Sequence, residues 1–311
     1  MEELPFVSVI IPVYNDSVRL LKCLKALYLQ TYPYNSYEVI VVDNNSIENV
    51  FSVCQQFPNV RYLQENKQGS YAARNCGVRA ARGEIIACTD ADCLPAHDWI
   101  SSGVQSLLSN PDAGIVAGHI EMSYLHSQPN PIEYADRLMH LNQQLYAEKG
   151  YAATGNAFTW EWMFEKVGMF NEGLLSLGDR EWGERVTGQG YGVVYSKEAY
   201  VLHPARHTLH ALLRKVRFQA RHKPLLKPWT WKDLFRQLLP MGWSFYWNLV
   251  GDRNLPALGA KFRFLLVVYA VKYIVFWEMM TYFPKLDKSG YPEILKINTR
   301  AALDIYYLNK S

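Results

Sequence analysis

The sequence is short of cysteine and places no two cysteines in a Cys-x-x-Cys pair. Five cysteines among 311 residues make an odd number. This spacing favours neither a zinc knuckle nor a closed set of disulfides, so we expect a reducing compartment. The chain also lacks a strong charge of one sign. A formal net charge of +3 is too small to indicate nucleic-acid binding by charge alone, and we expect no nucleic-acid partner.

We expect neither a secretory leader nor a clean transmembrane run in this sequence. The first residues are acidic and enter a strand at about Phe6, without a basic region, an apolar core or a cleavage site. The most apolar later stretch, residues 262–283, is interrupted by Arg263, Lys272 and Glu278, whereas a spanning helix needs roughly 20 nearly uncharged residues. We therefore expect a cytosol-facing protein that has one domain and a substantial extension.

Apolar residues make up 49% of the chain, and they predict alternating strands and helices in the first 122 residues. Buried strands are predicted at residues 6–13, 37–42 and 84–89, with helices between them. Such units form right-handed crossovers with parallel strands. Asn15, Asp43 and Asp90 then follow their strands at one edge of the sheet, which is where open α/β sheets bind ligands.

Further downstream the patterns predict less regular elements. We predict a strand at residues 114–122, a helix at residues 132–145 and a short strand at residues 192–195. A helix ending near Arg82 would be capped by Gly83, since glycine favours the position after a helix C-terminus.

Two carboxylates, Asp90 and Asp92, follow the predicted strand at residues 84–89. Carboxylates spaced in this way can hold Mg²⁺ or Mn²⁺, whose remaining coordination positions usually go to substrate phosphates. A pair of solvated loop acids produces the same pattern, and Asp-x-Asp alone is a weak signal.

Four segments together resemble the inverting family 2 glycosyltransferases of GT-A fold: residues 7–15, 41–46, 72–77 and 83–92. The resemblance covers about residues 6–210, and it implies a helix within residues 161–170. It implies an α/β fold with a GT-A-like (Rossmann-like) mixed sheet flanked by helices. It also implies a nucleotide-sugar donor, usually a UDP-sugar, with Mn²⁺ or Mg²⁺ on the diphosphate. One departure is Asn44, where the family often has a second acid, so that Asp43 alone would serve the base or ribose.

The resemblance also implies roles on the donor side. It places Asp43 and Arg74 at the nucleotide, Asp90 towards the ribose and Asp92 on the metal ion. His203 is either a further metal ligand, since neutral imidazole suits Mn²⁺, or a structural histidine. The remaining predicted donor contacts are Pro12, Tyr14, Asn15 and Arg206, the last because guanidinium matches phosphate oxygens.

Residues 178–185 resemble the family motif Glu-Asp-x-Glu-x-x-x-Arg, with Gly178 in place of the first acid. Inverting transfer needs a carboxylate that takes the proton of the acceptor hydroxyl, and the resemblance gives this role to Asp179. The alternative is an ordinary acidic first turn of a helix. Near the acceptor the resemblance places Gly155 and Asn156, and Trp182 would either stack on a sugar or lie in the core.

The last third of the chain combines a basic amphipathic helix at residues 209–223 with an aromatic, broken apolar run at residues 229–283. We predict a catalytic domain at residues 1–225, with a nucleotide-binding half at 1–122 and an acceptor half at 123–225. A helical extension at residues 226–311 follows, lying in the bilayer interface where Trp, Tyr and basic residues belong. A single imperfect span and a helical cap or dimer interface are the alternatives.

The predicted protein is an inverting, metal-dependent glycosyltransferase on the cytoplasmic face of a membrane. It would move a sugar from a nucleotide diphosphate to a hydroxyl of a glycan or lipid-linked acceptor. A sugar nucleotidyltransferase would need a Gly-rich basic loop after the first strand, and residues 12–15 offer none. A non-catalytic sugar-binding or scaffold protein would be expected to lose an acid, yet Asp43, Asp90, Asp92 and Asp179 are all present.

Overall fold

A computed structural model describes residues 4–139, 141–223, 229–252, 254–255 and 257–282 of the chain. Within these residues eight strands form one mixed sheet in the order β3-β2-β1-β4-β7-β6-β8-β5. The strands are β1 Val7–Val13, β2 Tyr37–Asp43, β3 Val60–Gln64, β4 Ile85–Thr89, β5 Leu94–Pro95, β6 Ala113–Ser123, β7 Asn156–Trp160 and β8 Gly192–Pro204. The predicted α/β class and GT-A-like sheet are confirmed.

Strand β1 lies at the centre of the parallel part of the sheet. It pairs in parallel with β2 and with β4, and β2 pairs in parallel with β3. Val13 lies opposite Asp43, and Asp43 lies opposite Gln64, so the polar residues after these strands meet at one edge. Strand β7 then runs antiparallel to β4, with Asn156 opposite Thr89. The antiparallel part therefore begins next to the strand that carries the Asp-x-Asp pair.

The sheet belongs to the first of two compact units, which comprises residues up to Glu121 and residues from Leu141 to His203. Its helices are α1 Ser17–Tyr28, α2 Val50–Cys54, α3 Ser70–Ala80, α4 Trp99–Leu108, α6 Gln143–Glu148, α7 Glu161–Val167 and α8 Gly178–Gly188. Helix α3 lies very close to the sheet, because a Cβ built on Gly77 would be only 2.6 Å from Cγ2 of Ile10. Small residues on α3 permit this approach, and Ala73 is buried against Ile40 and Val42.

The second unit comprises residues 122–139 and the described residues from Pro204 to residue 282. Its helices are α5 Pro131–Met139, α9 Leu209–His222, α10 Trp231–Leu238, α11 Trp243–Gly251 and α12 Leu258–Tyr282. Phe264, Val268 and Val271 of α12 form a core with Leu212 and Val216 of α9. The second unit is thus a helical assembly around α12.

The charges within α12 are satisfied by neighbouring helices of the same unit. Glu278 is only 7% exposed, and its carboxylate pairs with Arg217 at 3.0 Å and with Arg221 at 2.7 Å. Lys272 donates to the carbonyl oxygens of Arg236 at 3.2 Å and Leu239 at 2.8 Å. Among the described helices, the stretch Leu258–Thr281 alone has the length and composition to cross a membrane.

Several predicted boundaries differ from the structure. The predicted helix at residues 132–145 is two helices, α5 and α6, and Leu141 between them adopts a left-handed φ of 60°. Strand β8 continues to Pro204 and so contains His203 itself. The predicted cap at Gly83 is wrong, because α3 ends at Ala80 and Ala81 is its C-cap. Gly83 is needed for a different reason: a Cβ there would lie 2.5 Å from the backbone nitrogen of Ser8.

Two further boundaries concern the second half of the chain. The helix predicted within residues 161–170 ends at Val167, followed by Gly168 with a φ of 80°. Residues 226–228 and 283–311 of the predicted extension lie outside the described residues. All five cysteines lie in described segments and are free thiols.

Candidate active site

The loops that follow β1 and β2 are joined to each other by hydrogen bonds. The Asn15 backbone N–H donates to Oγ of Ser46 at 2.9 Å, and Oδ1 of Asn15 accepts from the backbone of Ile47 at 2.8 Å. Asn15 has a φ of 48°, a left-handed conformation that Asn tolerates. Asp43 is buried and accepts from the Tyr62 hydroxyl and the Ser46 backbone, both at 2.9 Å. These bonds fix the carboxylate of Asp43 at the sheet edge, where Pro12 lies opposite Val42 in the register and Tyr14 directly follows β1.

Asn44 has a structural task that an acid at this position could not perform. Its Nδ2 donates to the carbonyl oxygens of Glu65 and Lys67, both at 2.8 Å, and its Oδ1 accepts from the Gly69 backbone at 2.7 Å. A carboxylate has no proton to donate to the two carbonyls. Asn44 therefore holds the loop that leads from β3 into α3, which explains the amide at this position.

The Asp-x-Asp pair lies in a cluster of possible metal ligands. One ligand atom each from Asp90, Asp92, Cys93 and His203 can be chosen so that all lie within 4.8 Å of one another. Pairing of β5 with β8 sets Leu94 opposite Leu202, and this pairing brings His203 to the Asp92 carboxylate, with 3.7 Å between Nε2 and Oδ1. The structure therefore brings together the predicted ligands Asp92 and His203.

Cys93 is a member of this cluster that the sequence analysis missed. Its position directly after Asp92, before a two-residue strand, gave no recognisable signal. Cys93 is buried, and burial raises the pKa of its thiol well above the ordinary value. Thiolate is a soft ligand that hard cations do not favour, whereas carboxylate and imidazole suit Mn²⁺ and carboxylate suits Mg²⁺. The donor set that fits such an ion is thus formed by the two aspartates and His203.

Each aspartate of the pair also has a guanidinium neighbour. Buried Arg74 on α3 forms an ion pair with Oδ1 of Asp90 at 2.5 Å. Arg19 on α1 is held by Asp16 at 2.7 Å and reaches within 3.7 Å of Oδ2 of Asp92. Positive charge therefore lies on both sides of the pair, in positions that would also attract phosphate oxygens.

Asp179 lies in the first turn of α8. Leu177, the residue just before this helix, has a φ of 64°, which is unusual for a residue with a side chain. Its Oδ1 accepts from the Arg180 backbone at 2.9 Å and from the Tyr71 hydroxyl at 3.3 Å. Although part of the residue reaches solvent, protein surrounds the carboxyl group closely. This burial raises the pKa of Asp179, an effect that hydrogen bonds and the charge of Arg74 reduce without cancelling.

The segment before β7 contacts both acids. Thr154 and Asp179 line one small cavity, and the Thr154 backbone lowers the pKa of the Asp179 carboxyl. A Cβ built on Gly155 would lie 3.1 Å from Oδ2 of Asp90, so a residue with a side chain would crowd that carboxylate. The carbonyl oxygen of Gly155 also accepts from Oγ1 of Thr89 at 3.1 Å. Asp90 and Asp179 are thus positioned by one shared segment.

Three other candidates make framework contacts. Asn156 is fully buried and bonds to Trp99 and to the backbones of His119 and Ala199, each at 2.8 Å. Trp182 is buried with its ring stacked on Phe164, which corresponds to the core alternative. Arg206, in the second unit, pairs with buried Asp136 at 3.2 Å. These contacts give Asn156 and Trp182 structural roles and leave a phosphate contact for Arg206 a prediction.

The sequence profile of glycosyl transferase family 2 matches residues 8–167. The chain belongs to this family. It is therefore a glycosyltransferase, and the family resemblance predicted from the four motifs is confirmed. A nucleotidyltransferase and a non-catalytic scaffold are set aside.

Two related sequences illustrate the family. Glycosyltransferase AglE of Haloferax volcanii is 39% identical over 213 residues, which span 65% of this chain and 68% of AglE. A Methanococcus voltae enzyme, dolichyl N-acetyl-alpha-D-glucosaminyl phosphate 3-beta-D-2,3-diacetamido-2,3-dideoxy-beta-D-glucuronosyltransferase, is 26% identical over 107 residues, spanning 32% of this chain and 33% of that protein.

Two solved structures share the fold. The mannosyltransferase PcManGT of Pyrobaculum calidifontis, in complex with GDP-Man and Mn²⁺, aligns with a TM-score of 0.57 at 20% identity and covers 98% of this chain and 82% of its own. TarS of S. aureus, residues 1–349 in complex with UDP, aligns with a TM-score of 0.53 at 15% identity and covers 89% of each chain. At these identities the likeness concerns the fold alone.

Proposed function

We propose that the enzyme transfers a sugar from a nucleotide diphosphate to a hydroxyl group of a glycan or lipid-linked acceptor, with inversion at the anomeric carbon. The observation that carries the proposal is the shared support of two different acids. Helix α3 holds both acids, through Arg74 on Asp90 and Tyr71 on Asp179, and the segment at residues 154–155 lies beside both. A donor-side carboxylate and a partly desolvated carboxylate therefore belong to one rigid arrangement.

On the donor side, Asp43 would receive the base or ribose, with Pro12, Tyr14 and Asn15 lining the same edge. Asp90, whose Oδ1 is paired with Arg74, leans towards the ribose, and Arg74 and Arg206 are proposed as nucleotide and diphosphate contacts. A UDP-sugar is the proposed donor, as the family resemblance implies. The UDP complex of TarS supports this choice, although PcManGT binds GDP-Man.

Asp92 and His203 would hold a divalent cation, Mn²⁺ or Mg²⁺, and the pairing of β5 with β8 sets these two residues close enough to share one ion. When bound, such an ion supplies positive charge that stabilises the leaving diphosphate. The Mn²⁺ in the PcManGT complex supports this assignment.

On the acceptor side, Asp179 is proposed to take the proton of the attacking hydroxyl. The acceptor oxygen forms its bond to the anomeric carbon while the bond from that carbon to the diphosphate oxygen breaks on the opposite face. The proton passes to the Asp179 carboxylate, and the nucleoside diphosphate departs. Burial raises the pKa of Asp179. Because this brings the pKa of the base closer to the operating pH, it improves proton transfer.

The helical extension at residues 226–311 is proposed to lie in the bilayer interface on the cytoplasmic side, whereas residues 1–225 form the catalytic part. Helices α10 and α11 expose large apolar and aromatic side chains: Trp231 61%, Phe235 61%, Leu238 61%, Trp243 81% and Trp247 72%. Exposed Lys232 and Arg236 lie among them on α10, a composition suited to an anionic membrane surface. The dolichyl-linked substrate named for the Methanococcus voltae enzyme supports a lipid-linked acceptor.

A donor screen tests the proposal. Purified enzyme is incubated with UDP- and GDP-sugars, with Mn²⁺ or with a chelator, and both thermal stability and nucleoside diphosphate release are measured. A bound donor well above its dissociation constant should raise the free energy of unfolding by about 2–3 kcal/mol. Stabilisation by one donor only when Mn²⁺ is present is the expected result. Undiminished release of the nucleoside diphosphate in the presence of chelator would refute metal dependence. A transfer product that keeps the anomeric configuration of the donor would refute inversion.

A further inference from the structure

The glycine that departs from the family motif next to Asp179 is closely covered by a tyrosine. A Cβ built on Gly178 would lie 2.7 Å from Cε2 and 2.9 Å from Cδ2 and Cζ of Tyr71. A longer side chain at this position would have to displace the ring. The space that the family's first acid would need is therefore filled by Tyr71 from helix α3.

The Tyr71 hydroxyl bonds to two consecutive residues of α8. It accepts from the Gly178 backbone at 2.9 Å and donates to Oδ1 of Asp179 at 3.3 Å. The ring is 6% exposed and packs on Phe170, with 5.8 Å between the centroids. Phe170 is itself fixed, because its backbone exchanges two hydrogen bonds with the Asn75 side chain at 2.9 and 3.0 Å. The hydroxyl is thus held at the first turn of α8.

Helix α3 also fixes the donor-side acid. Arg74 follows Tyr71 by three residues, which is close to one helical turn. Its guanidinium carbon lies 5.9 Å from the centre of the Tyr71 ring, and its Nη2 pairs with Asp90. One helix therefore places a hydroxyl on Asp179 and a guanidinium on Asp90.

We infer that Tyr71 is the positioning residue of the catalytic base: its hydroxyl orients the Asp179 carboxylate towards the acceptor and occupies the place of the acid that the family motif carries at position 178. This inference rests on the proposed role of Asp179. It adds to that role a residue outside the motif and a reason for Gly178.

The charge state of Asp179 offers a readout that packing alone would not change. The titratable groups that influence this carboxyl are Tyr71 and Arg74 on α3, Tyr146 on α6 and Tyr151 before β7. Burial raises the pKa of Tyr71 well above its ordinary value, so its hydroxyl remains a donor. A hydroxyl that donates to the ionised carboxylate favours ionisation, so its loss should raise the pKa of Asp179.

The test is the pH dependence of kcat for the full chain carrying Tyr71→Phe, which keeps the ring and removes the hydroxyl. We expect the acidic limb to move to higher pH and kcat near neutrality to fall about tenfold, the order expected for one lost hydrogen bond to a charged group. The donor KM should hardly change. Tyr37→Phe is the matched control, because it removes another buried hydroxyl, one that donates to the Leu27 carbonyl at 2.9 Å, and it should leave the limb in place.

Gly178→Ala approaches the same contact from the other side. Its Cβ would press on the Tyr71 ring, so the acidic limb should again move to higher pH. Gly188→Ala, in the same helix but with no atom within 4 Å of the added Cβ, should leave the limb unchanged. A folded Tyr71→Phe enzyme whose limb coincides with that of the wild type, or whose kcat falls equally at every pH, would overturn the inference.

Asp179→Asn separates this inference from the proposed function. If Asp179→Asn abolishes turnover while Tyr71→Phe leaves the limb in place, the positioning role alone is wrong. If Asp179→Asn retains turnover, Asp179 is not the base, and the inference falls together with that part of the proposed function.

Discussion

Replacing Asn44 by the acid that the family often carries should destabilise this protein. Asn44 is 2% exposed, and its Nδ2 donates to the carbonyl oxygens of Glu65 and Lys67, both at 2.8 Å. Asn44→Asp preserves the shape but removes both donated hydrogens and sets carboxylate oxygen against carbonyl oxygen. The bond from the Gly69 backbone to Oδ1 at 2.7 Å can remain.

The expected loss follows from these contacts. A polar group left without its partner costs about 1–3 kcal/mol, or roughly 2–6 kcal/mol for two carbonyls. Because Lys67 is exposed, water can replace part of the lost bonding, and we expect a loss at the low end of this range, about 2–3 kcal/mol. For a unit of this size that corresponds to a fall in Tm of roughly 4–12 °C.

The loss should depend on pH. The new carboxyl is buried against carbonyl oxygens, so its folded-state pKa must lie above its unfolded value. When protonated it can donate to one carbonyl. The destabilisation should therefore be small at low pH, below the unfolded pKa, and grow as the pH rises through the folded-state pKa.

Thermal or chaotrope unfolding measures the effect from about pH 3.5, which is below the unfolded Asp pKa of roughly 3.9, to about pH 8, with Asn45→Asp as the matched control. Asn45 is exposed and donates to the Asn66 carbonyl at 2.7 Å, so the same chemical change next door should alter stability little. Equal stability of Asn44→Asp and Asn45→Asp at neutral pH would show that the amide does not hold the loop at residues 65–69.

Three further outcomes are expected. Asp179→Asn should lose about 10²–10⁴-fold in turnover, measured by single-turnover kinetics, with the donor affinity measured by calorimetry nearly intact. Because burial disfavours the ionised form of Asp179, thermal unfolding at neutral pH should show no loss of stability. An equal loss of donor affinity would instead place Asp179 in the donor site. Asp92→Asn should abolish the gain in UDP affinity that Mn²⁺ gives, and an unchanged gain in calorimetry contradicts the assignment. Arg236→Glu should weaken co-sedimentation with anionic liposomes several-fold, since each basic residue near the surface contributes about 1 kcal/mol. The same change at exposed Lys22 on α1 should have no effect. A monodisperse wild-type protein that does not bind liposomes would reject the membrane proposal.

The sequence analysis succeeded where local patterns decide the structure. The apolar runs that became β1, β2 and β4 are buried at every position except Pro12, and right-handed crossovers then require their polar ends to share an edge. Asp43 and Asp90 could be predicted at that edge for this reason. Gly83 shows the limit of the local rule for helix C-caps. A glycine is needed there because the backbone passes close to Ser8, which is 75 positions away in the sequence.

Contacts between distant parts of the chain account for what was missed. Cys93 lies in one turn with Asp90 and Asp92, and the cluster of possible ligands is completed only when the pairing of β5 with β8 brings His203 to it. No spacing in the sequence indicates a two-residue strand such as β5. Asn44 looked like a lost acid until its three partners at residues 65–69 were known. Tyr71 lies outside the motif residues and meets Gly178 across 107 positions. Residue type predicted the chemistry of the acids, whereas tertiary packing decided which neutral residues support them.

Rigid support of both acids by α3 has a consequence for how the site resists disturbance. An active site assembled from loops alone would let Asp90 and Asp179 move independently, and loops are the part of a fold that opens first. Here Tyr71 and Arg74 extend from a helix whose Gly77 lies against Ile10 of the central strand, so displacement of either acid must disturb the core. A misplacement of about 1 Å can reduce turnover by roughly a hundredfold. Core substitutions under α3, such as Ile10→Val, should therefore reduce kcat through both acids at once, and the distance between the base and the donor-side acid is set by helix packing.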